Sequence, residues 1–309
     1  MRRGLAPSAV NIELRAPRLD ELGELTELIN RDSQELYGER EESVESMRMW
    51  LTGPKLNPET DIRVAVLEGT LRGYVDLDDD PHPTYWVDLR VPPSESEEVR
   101  IALADWVESR AEEREGRVLR FHTASIDEPM KQLLETRGYR IIRHFYRMRI
   151  QLDSEVPEST WPEGIIVRTA SPADARPVYE AHQESFEDHW ETTRMPFVEW
   201  EHWLMREGFD PSLWFILEDG AEVAAISLCR EHEGEKGLGW VSVLGVRKPW
   251  RRRGLGRALL LHSFQEFRRR GFHAAALGVD AESLTGANRL YESAGMAVAR
   301  QSDVYEKEL

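Results

Sequence analysis

The most constraining feature of this chain is an order of elements that occurs twice. In the second half, apolar runs at 165–168, 213–218, 223–229, 240–246 and 274–279 read as strands, with a closing strand near Val304. Helical stretches run from Ser171-Pro172 to about 187, then over about 197–206, 254–270 and 284–293. Asp219-Gly220 signals a hairpin, and Gly271 and Gly295 stop two of the helices. The first half follows suit: a strand at 12–15, a helix at 19–30, and a hairpin of 63–67 and 73–77 around Glu68-Gly69. A strand at 86–91, a helix at 97–113, a strand at 118–122 and a helix at 129–136 that stops at Gly138 complete it. Leu133-Leu134-Glu135-Thr136-Arg137-Gly138 then stands against Leu290-Tyr291-Glu292-Ser293-Ala294-Gly295.

A repeat of about 150 residues means duplicated domains rather than a solenoid. Residues 153–163, polar and rich in Pro and acidic side chains, read as a linker between a domain at 1–152 and one at 164–309. Strands and helices alternate within each half, so the expected fold class is α/β. Each domain is then a central mixed, mostly antiparallel sheet flanked by helices, an α+β mixed sheet.

The net charge of −17 excludes a non-specific nucleic-acid binder, which needs a broad basic surface, and disfavours anionic membranes. It favours cationic partners such as amines. The single cysteine, Cys229, reads as a small buried hydrophobe in a strand. No run of about 18 apolar residues suggests a membrane span, and residues 1–10 lack the apolar core of a signal peptide. A cytoplasmic protein, monomeric or homodimeric, is the expectation.

Chemistry concentrates after the strand at 240–246. There the chain turns through Arg247, Lys248, Pro249 and Trp250 into Arg251-Arg252-Arg253-Gly254-Leu255-Gly256-Arg257 and directly into a helix. Free amides of a first helical turn, together with the helix dipole, make an anion site. Gly254 and Gly256 remove Cβ atoms where backbone must approach a ligand, and the arginines add positive charge. A dinucleotide fingerprint would need a third glycine where Leu259 stands. The pattern therefore suits a diphosphate joined to something other than a classical dinucleotide.

Arg-x-x-Gly-x-Gly after a strand ending Leu244-Gly245-Val246 resembles the acetyl-CoA signature of the GNAT acetyltransferase superfamily. Leu290-Tyr291-Glu292-Ser293-Ala294-Gly295-Met296 looks like that family's second signature. Two such domains in tandem are similar to the mycothiol synthases of actinobacteria and their relatives. The resemblance implies acetyl-CoA as acyl donor. Backbone of Leu244, Gly245 and Val246 would lie along its pantetheine arm, and Arg251, Arg252, Arg253, Gly254, Leu255, Gly256 and Arg257 would surround its pyrophosphate. It implies Tyr291 as the acid that protonates the leaving thiolate. Ser283 stands where related sequences place an Asn against the pantetheine arm, and Trp240 stands near the position of a Glu in mycothiol synthases.

An amine must lose a proton before it attacks, and Glu184, Asp188 and His189 are the candidate bases. His182 and His189 are spaced to share a helix face but lack a third ligand, so no metal is expected. Trp190, Trp200, Trp203 and Trp214 read mostly as core. In the first domain, Ser96, Val99 and Ile101 replace the arginine and both glycines. Glu95, Glu97 and Glu98 crowd the phosphate position, and Leu134 replaces the tyrosine. That domain reads as a degenerate copy. The implied function is N-acetyl transfer to a small-molecule amine by direct attack. The alternatives are acetylation of a cysteinyl amine, as in mycothiol synthases, and a non-catalytic acyl-CoA sensor.

Overall fold

The computed structural model describes residues 11–53, 56–79, 83–153, 155–190, 194–204, 210–283 and 285–309. Expectations for residues 1–10, for the helix end near 206 and for the helix start at Leu284 lie outside these residues, as does the Trp203 side chain. The chain forms two compact units, Met1–Ile142 with Ser302–Leu309 and Arg143–Gln301.

The first unit contains β1 (Glu13–Arg15), α1 (Leu22–Tyr37), α2 (Val44–Thr52), α3 (Pro58–Asp61), β2 (Ile62–Leu67), β3 (Thr70–Asp79), β4 (Thr84–Arg90), α4 (Glu97–Glu113), β5 (Val118–Ala124) and α5 (Glu128–Thr136). A strand β6 (Arg140–Gln151) leads into the second unit. There follow β7 (Ile165–Thr169), α6 (Ala175–Phe186), α7 (Phe197–Leu204), β8 (Trp214–Asp219), β9 (Glu222–Glu231), β10 (Leu238–Val246), α8 (Leu255–Arg269), β11 (Ala274–Asp280), α9 (Ala287–Ser293) and β12 (Ala297–Glu308). The α/β expectation holds: β1-β2-β3-β4 and β7-β8-β9-β10 are antiparallel runs, while β4 with β5 and β10 with β11 are parallel. The Glu68-Gly69 turn carries two positive φ angles, 51° and 75°, as a tight hairpin between twisted strands requires.

Each unit takes one strand from the other half of the sequence. β11 pairs antiparallel with β6, Ala274 opposite Gln151 through Asp280 opposite Phe145. β5 pairs antiparallel with the C-terminal part of β12, Val118 opposite Glu308 through Ala124 opposite Ser302. The expected boundaries at 152 and 163 therefore both fall inside the second unit. The charges at Arg140, Arg143, Arg147 and Arg149 hide β6 as a strand in the sequence. Residues 155–163 are not a loose tether either. Val156 is buried in the second unit's core, Gln265 Nε2 of α8 donates to the Pro157 carbonyl at 2.7 Å, and Trp161 meets His262 edge-on.

Packing divides by sheet face. In the second unit α8 and α9 cover one face, with Leu259, Leu260, Phe264, Phe267 and Tyr291 against Val241, Ala275 and Leu277. α6 and α7 cover the other, with Val178, Trp200 and Trp214 against Ile226, Leu228 and Val243. Trp200 is fully buried, and its Nε1 donates to His182 Nδ1 at 2.8 Å. Burial pushes the His182 imidazole down to about 4, so it stays a neutral acceptor and a structural group. Cys229 lies buried in β9, its thiol raised to about 11 by burial, as suits an inert core residue.

Gly239 lets Phe267 of α8 lie close against the sheet, for a Cβ there would lie 2.6 Å from the Phe267 ring. Gly239→Ala should destabilise the second unit by about 1–3 kcal/mol through overpacking. In a Phe267→Leu background the added cost should fall, which a double-mutant cycle in urea would reveal. Equal costs in both backgrounds would break this packing account.

Candidate active site

β10 builds the site through two irregularities. The first is a bulge. Val241 lies opposite Cys229 and Val243 opposite Leu228, so Ser242 is one residue more than β9 can match. A regular strand would keep 239, 241, 243 and 245 on one face. Here Gly239 and Val241 face α8, whereas Val243 joins the core under α6 and Gly245 meets Ser185 of α6. The second is divergence. Among the described residues, β10 pairs with β11 only from Leu238 to Trp240, opposite Ala274 to Ala276, although β11 continues to Asp280. The edge from Val241 to Val246 is left facing a gap. Leu244, Gly245 and Val246 lie on this free edge, bonded on their other side to β9. A Cβ on Gly245 would come 2.8 Å from the Ser185 Cβ, so glycine allows α6 to approach here.

Beyond Val246 a 3-10 turn, Lys248–Trp250, redirects the chain. Arg252 (φ 62°) and Gly254 (φ 79°) both adopt left-handed backbone before α8 begins. The first internal bond of the helix is Ala258 N–H to the Gly254 carbonyl at 3.1 Å. Among the described residues, the amides from Arg252 to Arg257 are left without a backbone acceptor. No side chain can cap the helix at Gly254, and its first turn has no carboxylate. The local structure is an anion cradle made of backbone. Leu255 is itself core, 1% exposed, so only its backbone can serve a ligand. A Cβ on Gly256 would press on Leu290 of α9 at 3.1 Å.

The arginines divide into struts and free charge. Arg251 donates to the Val246 carbonyl (3.1 Å), the Ser185 carbonyl (3.1 Å) and Asp188 (2.6 Å). Arg253 reaches Asp219 at 3.3 Å, where Trp250 Nε1 also donates. Arg257 donates to the Ser293 carbonyl at the end of α9. Arg252 is exposed and makes no side-chain bond among the described residues.

Two of the candidate bases are committed elsewhere. Glu184 is fastened to Arg247 at 2.6 Å. Asp188 pairs with Arg251 and with Lys248 at 3.3 Å, and these cations hold its carboxyl below the usual range. Both tie α6 to the loop. His189 differs: burial, beside the Phe186 ring at 4.3 Å, pushes its imidazole below the usual value, so it is neutral at pH 7. Its electrostatic neighbours are Asp280, at the end of β11, Arg251, in the loop after β10, and Asp188. It therefore sits near the open end of the divergence.

Tyr291 is 8% exposed on α9, and its hydroxyl has no hydrogen-bond partner among the described residues. Burial raises it to about 12, so the phenol keeps its proton at neutral pH. Asn288, one turn earlier on the same face, donates to the carbonyls of Asp280 and Ala281 and pins α9 to the end of β11. Ser283 bonds instead to Thr285 at 2.9 Å. Sequence reading set Asn288 aside, since it falls on a different turn from Ser283, and missed Arg143, which grips Asp280 at 2.6 Å with its guanidinium over the Trp190 ring at 4.9 Å. Among the described residues, no helix is long and apolar enough to cross a membrane.

In the first unit, Val99 and Leu134 are fully buried, and Glu95 pairs with Arg31 at 2.8 Å and Arg72 at 3.1 Å. The position that would meet phosphates is filled by the unit's own ion pairs.

Comparison with known proteins decides the family. Residues 175–296 match the Acetyltransferase (GNAT) family. The crystal structure of a GCN5-related N-acetyltransferase from Sphaerobacter thermophilus is similar over 96% of this chain and 95% of that one, with a TM-score of 0.77 and 30% identity. The chain belongs to the GNAT acetyltransferase family. Among curated relatives, it is 34% identical to a mycothiol acetyltransferase of Thermobispora bispora over 50% of the chain and 53% of that protein. It is 27% identical to one of Streptomyces bingchenggensis over 87% of the chain and 90% of that protein. The chain thus spans about half the length of the first relative and most of the second. The family uses acyl-CoA donors, and these relatives are named as enzymes, so they lend no support to a non-catalytic sensor.

The struts carry a pH signature. The folded pKa of Asp188 is depressed, so its contribution is full above the unfolded value and is lost as pH falls through the folded one. At pH 7 Arg251→Gln should raise hydrogen exchange in the 247–257 loop, and the difference should shrink as pH falls below the usual carboxylate range but not vanish, because the bonds to the Val246 and Ser185 carbonyls do not titrate. An unchanged loop at pH 7 would remove Arg251 from this role.

Proposed function

We propose that the second unit is an N-acetyltransferase in which acetyl-CoA is the donor and the primary amine of a small molecule attacks it directly. The observation that carries this reading is the free edge of β10 leading straight into a backbone anion cradle, with a buried, protonated phenol alongside. The Arg252 to Arg257 amides and the exposed Arg252 would hold the pyrophosphate. The edge at Leu244, Gly245 and Val246 would pair with the amides of the pantetheine arm, and Ser283 remains a candidate for one further bond.

The chemistry then follows from protons. An alkyl amine with a pKa near ~10 is about 0.1% free at pH 7, a handicap of about 4 kcal/mol. His189, neutral and near the open end, takes the first proton from the ammonium. As the C–N bond forms and the C–S bond breaks, nitrogen's second proton reaches sulfur by way of Tyr291, which gives one proton and regains one. The folded state keeps that phenol loaded across the working pH range. Glu184 and Asp188 act as positioning groups through Arg247 and Arg251.

A second reading, acetylation of a cysteinyl amine, is favoured by the mycothiol acetyltransferases among the relatives. Trp240, rather than a carboxylate, on β10 favours the broader amine reading.

Free CoA release from acetyl-CoA, followed over a panel of amines that includes cysteinyl amines, tests the proposal. Tyr291→Phe should lower kcat about 10²–10⁴-fold with little change in KM for acetyl-CoA. The wild-type kcat/KM should fall as pH drops through a value below 6.5, and His189→Gln should lose that limb. Acetyl-CoA binding without turnover on any amine would defeat the enzyme reading. A pH limb that survives in His189→Gln would assign the base elsewhere.

A further inference from the structure

The first unit has the same divergence of strands but fills it differently. Among the described residues, β4 and β5 pair only from Thr84 to Val87, opposite Val118 to Phe121. Val87, Leu89, Leu119 and Phe121 turn to the core under α4. By alternation, Asp88, Arg90 and His122 face the other side with Tyr74 and Asp76 of β3. The corresponding face of the second unit carries Ile226, Leu228 and Val243. An apolar face would suffice for folding, and burying charge here costs stability.

These groups form a network that holds one carboxylate poorly. Asp76 accepts from the Tyr74 hydroxyl at 2.7 Å, from Trp50 Nε1 at 2.9 Å and from the Asp88 amide at 3.3 Å. Arg90 Nε donates to Asp88 at 2.6 Å. Asp32 of α1 is 3% exposed yet makes no hydrogen bond among the described residues, and its approach to Arg90 is 3.6 Å. Glu41 approaches the same guanidinium at 3.6 Å. Buried carboxylates are ordinarily paired and hydrogen-bonded, so Asp32 points into the network without a full partner. The route in is open, since the Asp88 side chain is 39% and the Arg90 side chain 27% exposed. Among the described residues, no His, Cys, Asp and Glu group is arranged to hold a metal ion. A cation that brings its own hydrogen-bond donors suits Asp32, and an organic ammonium does so.

We propose that the first unit binds a small organic ammonium ligand between its diverging strands β4 and β5, held by Asp32 and Asp88. The site stands apart from acetyl transfer in the second unit and does not rest on it. An ammonium donates three hydrogen bonds, enough to satisfy Asp32 and a second carboxylate together. Burial raises the Asp32 carboxyl to about 7 and raises Asp76 as well, so an arriving cation displaces protons. The other charged groups facing the network are Glu41 and Glu42 from the loop after α1, Arg90 and Asp88 of β4, His122 of β5, Asp127 before α5 and Asp303 of β12. Burial lowers His122, which stays neutral, so the released protons come from carboxyls.

Calorimetry on the full chain with 1,4-diaminobutane tests this, with 1,4-butanediol and succinate as neutral and anionic probes of similar length. The diamine should bind at one site at least about tenfold tighter than either control. It should release protons, seen as heats that differ between buffers, and bind more tightly at pH 8 than at pH 6. Asp32→Asn should weaken binding at least about tenfold. Asp88→Asn, at a more exposed position, should do the same if Asp32→Asn does not fold. Asp32 and Asp88 both belong to the first unit, so loss of diamine binding in their variants separates this site from an amine bound at the acetyl-transfer site, which those variants leave in place. No heat up to about 10 mM diamine, equal binding of the diol, preference for succinate, or undiminished binding in the variants would overturn the proposal.

Discussion

The second unit depends on one unsatisfied edge. Backbone N–H and C=O groups in a sheet must find partners, and β10 leaves β11 after three residues. Among the described residues the groups from Val241 onward find no partner on β11, and the proposed function gives that edge to an extended guest. The bulge at Ser242 turns Gly245 toward α6, and the absent Cβ at Gly245 lets Ser185 pack there. α6 carries Glu184 and the following turn carries Asp188, and both reach across to the arginines that follow β10. The strand, the loop and the covering helix thus form one braced frame.

That frame explains why acidic residues that look like bases in the sequence are not free. Glu184 is tied to Arg247 by a hydrogen bond, and Asp188 is held low by the cations it pairs with, so it accepts protons poorly at neutral pH. In Asp188 the cost to basicity is the gain in rigidity. His189 escapes because burial, not a cation, dominates its titration. The same reasoning separates Arg251, spent on two carbonyls and a carboxylate, from Arg252, whose left-handed backbone and bare guanidinium suit a ligand.

Much of this was legible in the sequence. The hairpins at Glu68-Gly69 and Asp219-Gly220, the helix at 97–113 and the loop from Arg251 to Arg257 rest on local chemistry, and local chemistry is written in neighbouring residues. Three features were not legible. β6 hides because arginines interrupt its apolar residues, and the partners of Arg143 and Arg149, Asp280 and Glu235, come from far along the chain. The exchange of strands cannot be seen in either half alone. The bulge leaves only a serine in an apolar run, which any regular strand would tolerate. The first unit's polar face of Asp76, Asp88 and Arg90 was not singled out in the sequence, because Asp32 of α1, which approaches Arg90, comes from far along the chain.

The central claim is that one unit of the two carries the donor site. Titrating acetyl-CoA into the full chain by calorimetry measures it. The account predicts one molecule per chain and no binding to a Gly254→Glu variant, whose carboxylate would stand in the anion cradle. Two molecules per chain, or one that survives in that variant, would contradict it.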